Sequence, residues 1–199
     1  MSTNPQIENV TVLGTGVLGS QIAYQTAYAG FPVTAYDISD ARLDSAKNSF
    51  ERLAALYEQE VDGAAGGPAR AALARIQHSS DLAEAVREAD LVIESIPEKL
   101  ELKREVYTRL GRLASEKTIF ATNTSMLLPS ELAASTGRPE RFLAMHFANE
   151  IWKRNTAEVM GHAGTDPAVY RVVVDFARRI GMEPIELRQN SAATSSTRC

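Results

Sequence analysis

The chain has 199 residues, of which 44% are hydrophobic and 23% charged, and its formal net charge is −4. This length is enough for one domain with a well-packed core. The acidic balance and the absence of a lysine or arginine cluster argue against a nucleic-acid partner. The only cysteine is Cys199, so we expect neither an internal disulfide framework nor a metal site built on cysteines.

The sequence also bears on membranes and location. Its first residues, MSTNPQIENV, lack a basic segment followed by an apolar run. Elsewhere no stretch approaches the roughly 18 apolar residues that a membrane span needs. We therefore expect no membrane association and a cytoplasmic location.

Short apolar runs alternate along the chain with longer helical patterns, which indicates a parallel sheet with crossover helices. We predict strands at 10–13, 32–36, 74–79, 90–95, 118–122, 142–147, 156–160 and 183–187. The helices are predicted at 17–29, 40–60, 82–88, 99–115, 129–135 and 167–180. The glycine-rich stretch 62–70 is predicted to be a loop between helices. The fold class is therefore α/β, a mostly parallel, doubly wound sheet of about eight strands with flanking helices.

The first predicted strand leads into the turn Gly14-Thr15-Gly16-Val17-Leu18-Gly19. In a strand–turn–helix context, Gly14 makes the tight turn, Gly16 lets the backbone approach a pyrophosphate, and Gly19 lets the helix pack close to the strand. The N–H groups at the start of the helix, at Val17 and Leu18, would bind the phosphates. This motif predicts a Rossmann-like domain that binds a dinucleotide.

A carboxylate follows the second predicted strand. Asp37 lies 21 residues after Gly16, where it can accept hydrogen bonds from the ribose 2′- and 3′-hydroxyls. The same charge would repel a 2′-phosphate, so the cofactor is predicted to be NAD rather than NADP. The alternative is a plain strand–helix turn in which Asp37 caps the next helix.

Three further segments resemble motifs of the L-3-hydroxyacyl-CoA dehydrogenases. DLVIESIPEKLELKREVYTRL is similar to the family's Glu-x-x-x-x-Lys segment, ATNTSMLLPSEL to its Asn-Thr-Ser turn, and RFLAMHFANE to its Arg-Phe-x-x-x-His-Phe-x-Asn motif. With the glycine turn they follow the family's order over about residues 7–188. The resemblance implies NAD-dependent oxidation of an L-3-hydroxyacyl-CoA to the 3-oxoacyl-CoA, as in fatty-acid β-oxidation. In the family a helical domain, which carries much of the dimer interface, follows this Rossmann-like domain.

The resemblance also assigns roles by position. Glu98 and Lys103 would contact the nicotinamide-side ribose, and Asn123 would lie beside the nicotinamide. Ser125, counted with the catalytic residues, would hydrogen-bond the 3-oxygen of the substrate, and Asn149 would also contact the substrate. For Glu98 and Lys103 the alternative is a solvated helix face, and for Ser125 it is an ordinary turn hydroxyl.

His146 and Glu158 match the family's catalytic pair. Oxidation of a secondary alcohol needs a base for the hydroxyl proton, and histidine is the usual one near neutral pH. A carboxylate on the far ring nitrogen fixes the tautomer and stabilises the imidazolium. His146 is predicted near the ligand-binding end of its strand, with Glu158 on the neighbouring strand; the alternative is a structural histidine. The other two histidines, His78 and His162, are interpreted as structural or surface residues.

The sequence departs from the family in three places. Glu150 replaces the proline that usually follows the His-Phe-x-Asn motif, and IWKRNT replaces a more apolar stretch. Helix 40–60 offers few bases for a CoA 3′-phosphate, namely Arg42, Lys47 and Arg52. Two alternatives therefore stay open: a dehydrogenase of a free hydroxy acid, of the carnitine or gulonate type, and a non-catalytic NAD-binding module.

The third departure is at the end of the chain. Residues 1–188 are predicted to form the dinucleotide-binding domain, and the segment QNSAATSSTRC at 189–199 is unlike the family. Its small polar residues cannot bury a core, so we expect a disordered tail. We also expect the family's dimer surface to be largely missing.

Overall fold

The computed structural model describes residues 6–187 and contains an eight-stranded sheet. Its strands are β1 (Val10–Leu13), β2 (Val33–Tyr36), β3 (Ile76–Ser79), β4 (Leu91–Glu94), β5 (Ile119–Thr122), β6 (Phe142–Phe147), β7 (Thr156–Met160) and β8 (Glu183–Leu187). Their spatial order is β3-β2-β1-β4-β5-β6-β7-β8. Neighbouring strands are parallel except for β6 and β7, which are antiparallel. The predicted mostly parallel, doubly wound fold is confirmed.

Seven helices connect these strands: α1 (Val17–Tyr28), α2 (Asp40–Glu60), α3 (Pro68–Leu73), α4 (Leu82–Val86), α5 (Leu100–Leu113), α6 (Pro129–Leu132) and α7 (Pro167–Arg179). Two of them differ from the prediction. The predicted loop 62–70 gives way to α3 at Pro68, because proline is favoured in the first turn of a helix. The helix predicted at 129–135 is shorter, since α6 passes into a 3-10 turn at Ala133–Thr136.

Local sequence explains where several helices begin. Asp81 precedes α4, and its carboxylate accepts hydrogen bonds from the N–H groups of Ala83 and Glu84. Asp166 precedes α7 and accepts the N–H of Ala168 in the same way. Such aspartates satisfy N–H groups that have no partner inside the helix.

The core lies on both faces of the sheet. Alternate residues of a strand point to opposite faces. In β4, Leu91 and Ile93 pack in the apolar cluster that includes α1, α2 and α7, whereas Val92 packs in the cluster with α4, α5 and α6. Burial on both faces explains why most residues of the central strands are apolar.

The topology places several loops at one edge of the sheet. β1 lies between β2 and β4, so the chain changes direction across the sheet at this point. In open α/β sheets, ligands bind beyond the carboxyl ends of the strands at such a switch point. The segments that follow β1, β4, β5 and β6 therefore meet at the same edge.

The predicted tail at 189–199 and the predicted domain boundary at 188 lie outside the described residues. Within residues 6–187, none of the helices is long and apolar enough to cross a membrane.

Candidate functional site

The glycine turn after β1 has the geometry that a pyrophosphate site needs. Gly14 has φ of +91°, and a Cβ atom there would lie 2.5 Å from the carbonyl oxygen of Ser95. At Gly19 a Cβ would lie 1.9 Å from the carbonyl oxygen of Gly14, so α1 packs directly against the turn. At Gly16, by contrast, a Cβ would meet nothing within 4 Å. Each glycine therefore has the predicted steric character, and the backbone at Gly16 is open to close approach.

The start of α1 offers donors to that space. Gly16 is the N-cap residue and has no side chain to bind the first N–H groups of the helix. Val17 and Leu18 follow it, and the side chain of Val17 is exposed. Their N–H groups and the positive end of the helix dipole suit an anion.

Asp37 lies beside this turn, at the end of β2. Its Oδ2 accepts hydrogen bonds from the Thr15 N–H (2.8 Å) and the Thr15 hydroxyl (2.6 Å). Its Oδ1 accepts the Ile38 N–H at 2.8 Å and lies 3.8 Å from Arg42 Nε. The residue that caps α2 is Ser39. Asp37 therefore fixes the glycine turn and does not cap the next helix.

His146 and Glu158 meet across the antiparallel pair β6–β7. They are register partners, and His146 Nδ1 lies 3.1 Å from Glu158 Oε2. The imidazole is 25% exposed and the carboxylate 16%. The other ring nitrogen, Nε2, has no hydrogen-bond partner within residues 6–187. The pair therefore has the contact that was predicted, with one nitrogen left for a reacting group.

Asn123 connects this pair to the neighbouring strands. Its Oδ1 accepts the N–H of Phe147 at 2.9 Å, next to His146. Its own N–H donates to the Glu94 carbonyl at 2.8 Å, and its Nδ2 lies 3.4 Å from the Ser95 hydroxyl. Asn123 thus lies where the ends of β4, β5 and β6 converge.

The two predicted substrate residues lie on exposed loops at the same edge. Ser125 is two positions after Asn123, and its hydroxyl makes no hydrogen bond among the described residues. Asn149 is exposed two residues after β6. Their positions agree with substrate contact, and their roles stay predictions.

Lys103 lies in a buried polar network that the sequence patterns did not predict, and Glu98 contacts this network from an exposed position. Lys103 is 1% exposed, and its Nζ lies 2.5 Å from Glu94 Oε1 and 3.1 Å from Glu98 Oε2. Glu94, 0% exposed, also accepts the hydroxyls of Thr122 (2.8 Å) and Tyr107 (3.1 Å). The solvated face considered for Lys103 is therefore wrong.

The sequence did contain a signal for this network. Lys103 falls on the apolar stripe of α5 with Leu100, Tyr107 and Leu110, at helical spacing. A lysine on such a stripe needs a buried acidic partner. Glu94, the one acidic residue of β4, is the candidate that the pattern offers.

Glu98 stabilises the turn that carries Asn123 and Ser125. Its Oε1 accepts the Thr124 hydroxyl and, at 3.2 Å, the Met126 N–H. Burial by itself raises the pKa of Glu98. The hydrogen bond from Thr124 and the charge of Lys103 outweigh that effect, so the pKa of this carboxyl is lowered.

The loop after His146, residues 148–155, is fixed by two helices. Gln21 Oε1 of α1 accepts the N–H of Glu150 at 2.8 Å, where Glu150 has φ of +60°. Trp152 Nε1 donates to Glu60 Oε2 of α2 at 2.5 Å. Hydrogen bonds from Trp152 and Lys153 lower the pKa of Glu60. The stretch that departs from the family is thus a well-anchored loop beside the histidine.

The remaining histidines lie elsewhere. His162 Nε2 lies 2.9 Å from the Pro139 carbonyl, and its Nδ1 accepts the Gly164 N–H at 3.1 Å. His78 is on the edge strand β3, and burial together with the charge of Lys47 lowers its pKa. Across residues 6–187, no group of three or more His, Cys, Asp or Glu side chains could hold a metal ion.

Comparisons with known proteins agree with this geometry. Residues 9–191 match the family described as "3-hydroxyacyl-CoA dehydrogenase, NAD binding domain". The mitochondrial hydroxyacyl-coenzyme A dehydrogenase of Rattus norvegicus is 34% identical over 186 residues, which cover 92% of this chain and 59% of that protein. The chain thus spans about three fifths of that relative's length.

Two solved structures are also similar. A diketoreductase, described by its substrate-directed dual catalysis of dicarbonyl compounds, has a TM-score of 0.94 and 63% identity, covering 96% of this chain and 68% of that chain. The 5-formyl-3-hydroxy-2-methylpyridine 4-carboxylic acid 5-dehydrogenase, an NAD+-dependent dismutase, has a TM-score of 0.81 and 28% identity, covering 95% of this chain and 60% of that chain.

These matches and the glycine turn indicate the same cofactor, which is NAD. The similar proteins include NAD-dependent dehydrogenases, so the family is one of NAD-dependent oxidoreductases. Since the family match extends over most of the chain, the chain belongs to the 3-hydroxyacyl-CoA dehydrogenase family and carries its NAD-binding domain.

Proposed function

We propose that the chain interconverts a secondary alcohol and a ketone, with NAD as the hydride carrier and His146 as the proton acceptor. The observation that carries this proposal is the contact between His146 Nδ1 and Glu158 Oε2. It lies at the same sheet edge as the glycine turn. A bound NAD would accept the hydride from the alcohol carbon.

The protein's own residues would handle the proton. His146 Nε2 takes the hydroxyl proton as the alcohol is oxidised, and returns it to the ketone oxygen in the reverse direction. Glu158 holds the Nδ1–H tautomer and offsets the positive charge that forms on the ring. Ser125 donates a hydrogen bond to the same substrate oxygen.

Several residues would hold the cofactor. The glycine turn and the N–H groups of Val17 and Leu18 bind the pyrophosphate, and Asp37 binds the adenosine ribose. Asn123 and Glu98 lie on the nicotinamide side. Asn149 borders the substrate.

For the substrate, we propose an L-3-hydroxyacyl-CoA and its 3-oxo form. The family match and the relative from Rattus norvegicus support this class. A cytoplasmic location is part of the proposal, supported by the single cysteine, although that relative is described as mitochondrial.

A smaller dicarbonyl compound is the second candidate. The diketoreductase is 63% identical to this chain. In addition, the three basic side chains of α2 that could bind a CoA 3′-phosphate already have partners. Arg42 lies beside Asp37, Lys47 pairs with Asp44, and Arg52 donates to Ser49. The loop 148–155 is also polar where it is exposed.

A substrate panel separates these candidates. NADH absorbance is followed with 3-hydroxybutyryl-CoA, free 3-hydroxybutyrate and carnitine, and, in the direction of NADH consumption, with acetoacetyl-CoA and a 3,5-dioxo ester. Every compound of this panel carries oxygen at carbon 3, and we expect turnover on the two thioesters. A preference of at least tenfold in kcat/KM for the thioesters supports the CoA class, and the opposite preference supports the dicarbonyl class. NAD binding by calorimetry without turnover on any compound would leave a non-catalytic module and refute the enzymatic proposal.

A further inference from the structure

We propose that Gln21 is a positioning residue for the substrate side of the site. It holds the loop 148–155 at Glu150, and through Glu150 it fixes Asn149, the residue expected to border the substrate. The inference rests on the proposed function, but its test requires no turnover.

Gln21 lies on the helix that also faces the cofactor. It follows Val17 by one turn of α1 and is 7% exposed. Four residues of a helix span about 6 Å, so the contact between Gln21 and the loop lies close to the N–H groups expected to bind the pyrophosphate. Because α1 is one rigid element, it sets the position of the loop relative to the glycine turn.

Glu150 is the residue around which the loop turns. Its N–H donates to Gln21 Oε1 at 2.8 Å. Its carbonyl accepts the N–H groups of Lys153 (2.8 Å) and Arg154 (2.9 Å). The φ of Glu150 is +60°, a left-handed conformation that is unfavourable for a residue with a Cβ atom. The hydrogen bond to Gln21 therefore supports a conformation that Glu150 would not keep by itself.

The departure from the family at Glu150 matches this contact. Proline has φ near −65° and no N–H, so it could neither adopt the turn at position 150 nor donate to Gln21. Gln21 and Glu150 thus belong to one arrangement, which gives the loop after His146 a course that proline would exclude.

Other contacts hold the far side of the loop. The side chain of Ile151 is completely buried. Trp152 Nε1 donates to Glu60 Oε2, and the centroid of the Trp152 ring lies 5.7 Å from that of Tyr57. Loss of the acceptor on Gln21 should therefore displace the backbone at positions 149 and 150 without unfolding the loop. Such a displacement would weaken substrate binding and spare NAD.

Two measurements test the proposal. Hydrogen exchange of the Glu150 amide, followed by NMR, reports the contact with Gln21 without any ligand. Calorimetric titration of acetoacetyl-CoA into chain saturated with NAD reports the substrate side. No reaction occurs in this complex, because both the cofactor and the ligand are in their oxidised forms.

Replacement of Gln21 should affect the two measurements together. Gln21→Met keeps the length of the side chain but offers only a weak acceptor. We expect the Glu150 amide to exchange about tenfold faster or more, and the Kd for acetoacetyl-CoA to rise roughly 5- to 20-fold. The Kd for NAD should stay within about twofold. Gln21→Glu keeps an oxygen acceptor and should behave like the unsubstituted chain in both measurements.

Two further variants complete the test. Glu150→Pro removes the same hydrogen bond from the other side, should raise the Kd for acetoacetyl-CoA similarly, and keeps the test valid if Gln21→Met does not fold. Gln25→Met is the matched control, because Gln25 lies one turn further along α1 and is 8% exposed. Its side chain binds the Ile180 carbonyl at 2.7 Å and the Tyr57 hydroxyl. Gln25→Met should lower the melting temperature and leave the Kd for acetoacetyl-CoA unchanged.

Unchanged exchange of the Glu150 amide in Gln21→Met would overturn the proposal. Equal losses of affinity for NAD and acetoacetyl-CoA would overturn it too, as would a weakened Kd for acetoacetyl-CoA in Gln21→Glu or Gln25→Met. If the unsubstituted chain binds neither this thioester nor the 3,5-dioxo ester of the panel, the proposed function fails on the substrate side. The exchange rate of the Glu150 amide then decides by itself whether Gln21 positions the loop.

Discussion

Gly16 and Gly19 stand three residues apart in the same turn, and the structure gives them different reasons to be glycine. At Gly19 the space is filled by the backbone of Gly14, whereas at Gly16 it is open. We therefore propose that Gly19 is needed to fold the turn and Gly16 to let a ligand approach it.

Alanine substitutions should separate these two needs. Gly19→Ala forces a methyl group into the Gly14 carbonyl, and we expect it to lower the free energy of unfolding by about 1–3 kcal/mol or more. Gly16→Ala should melt within roughly 2 °C of the unsubstituted chain yet lose NAD affinity. Differential scanning calorimetry and NAD titration measure the two effects. Equal melting temperatures for both variants would contradict this assignment.

At the scale of elements, Asp90 connects three parts of the sheet. It lies just before β4, and its Oδ2 accepts the N–H groups of Glu8 (3.1 Å) and Asn9 (2.9 Å), ahead of β1. Its Oδ1 lies 2.6 Å from Lys117 Nζ, ahead of β5. Burial opposes ionisation, but the hydrogen bonds from Lys117 and from these N–H groups prevail and lower the pKa of Asp90 below its ordinary 3.8.

This lowered pKa gives a pH dependence of definite sign. An acid with a lowered pKa in the folded state stabilises the fold above its unfolded pKa, and that contribution is lost as the pH falls through the folded pKa. We expect Asp90→Asn to lower the free energy of unfolding by about 1–3 kcal/mol at pH 7. The difference in free energy of unfolding between Asp90→Asn and the unsubstituted chain should shrink below about pH 4.

Urea denaturation at several pH values measures this difference. Asp175→Asn is the matched control. Among the described residues Asp175 pairs only with Arg178, on the exposed face of α7, so this substitution should change stability by less than about 0.5 kcal/mol. A penalty in Asp90→Asn that stays constant down to pH 3 would show that the charge of Asp90 is not what matters.

Elements with a regular pattern were predictable from the sequence, and those set by tertiary contacts were not. All eight strands appear close to their predicted positions, because apolar runs between polar segments fix them locally. The start of α3 at Pro68 depended on a proline signal inside a glycine-rich stretch. Among the site residues, the family resemblance was enough to pair His146 with Glu158. The Glu94–Lys103 pair joins a strand to a helix, and only the folded sheet brings the two side chains together.

At the scale of the whole molecule, NAD should stabilise the fold. A ligand that binds only the folded state adds RT ln(1 + [L]/Kd), about 2.7 kcal/mol at a concentration 100 times Kd. For a chain of this size we expect a rise in melting temperature of roughly 5–10 °C. Thermal unfolding with increasing NAD measures it, and Gly16→Ala should show a much smaller rise at the same concentrations. No rise in the unsubstituted chain would mean that the glycine turn does not bind NAD in this chain.

The central claim is that His146 moves the proton while the glycine turn holds the cofactor. The most direct test is the pre-steady-state rate of NADH formation from chain saturated with NAD, using the best substrate of the panel. In His146→Gln we expect this rate to fall roughly 10²- to 10⁴-fold, with the Kd for NAD within about twofold. His78 lies on the edge strand β3, so His78→Gln should form NADH at the same rate as the unsubstituted chain. An undiminished rate in His146→Gln would contradict the assignment of His146 as the base.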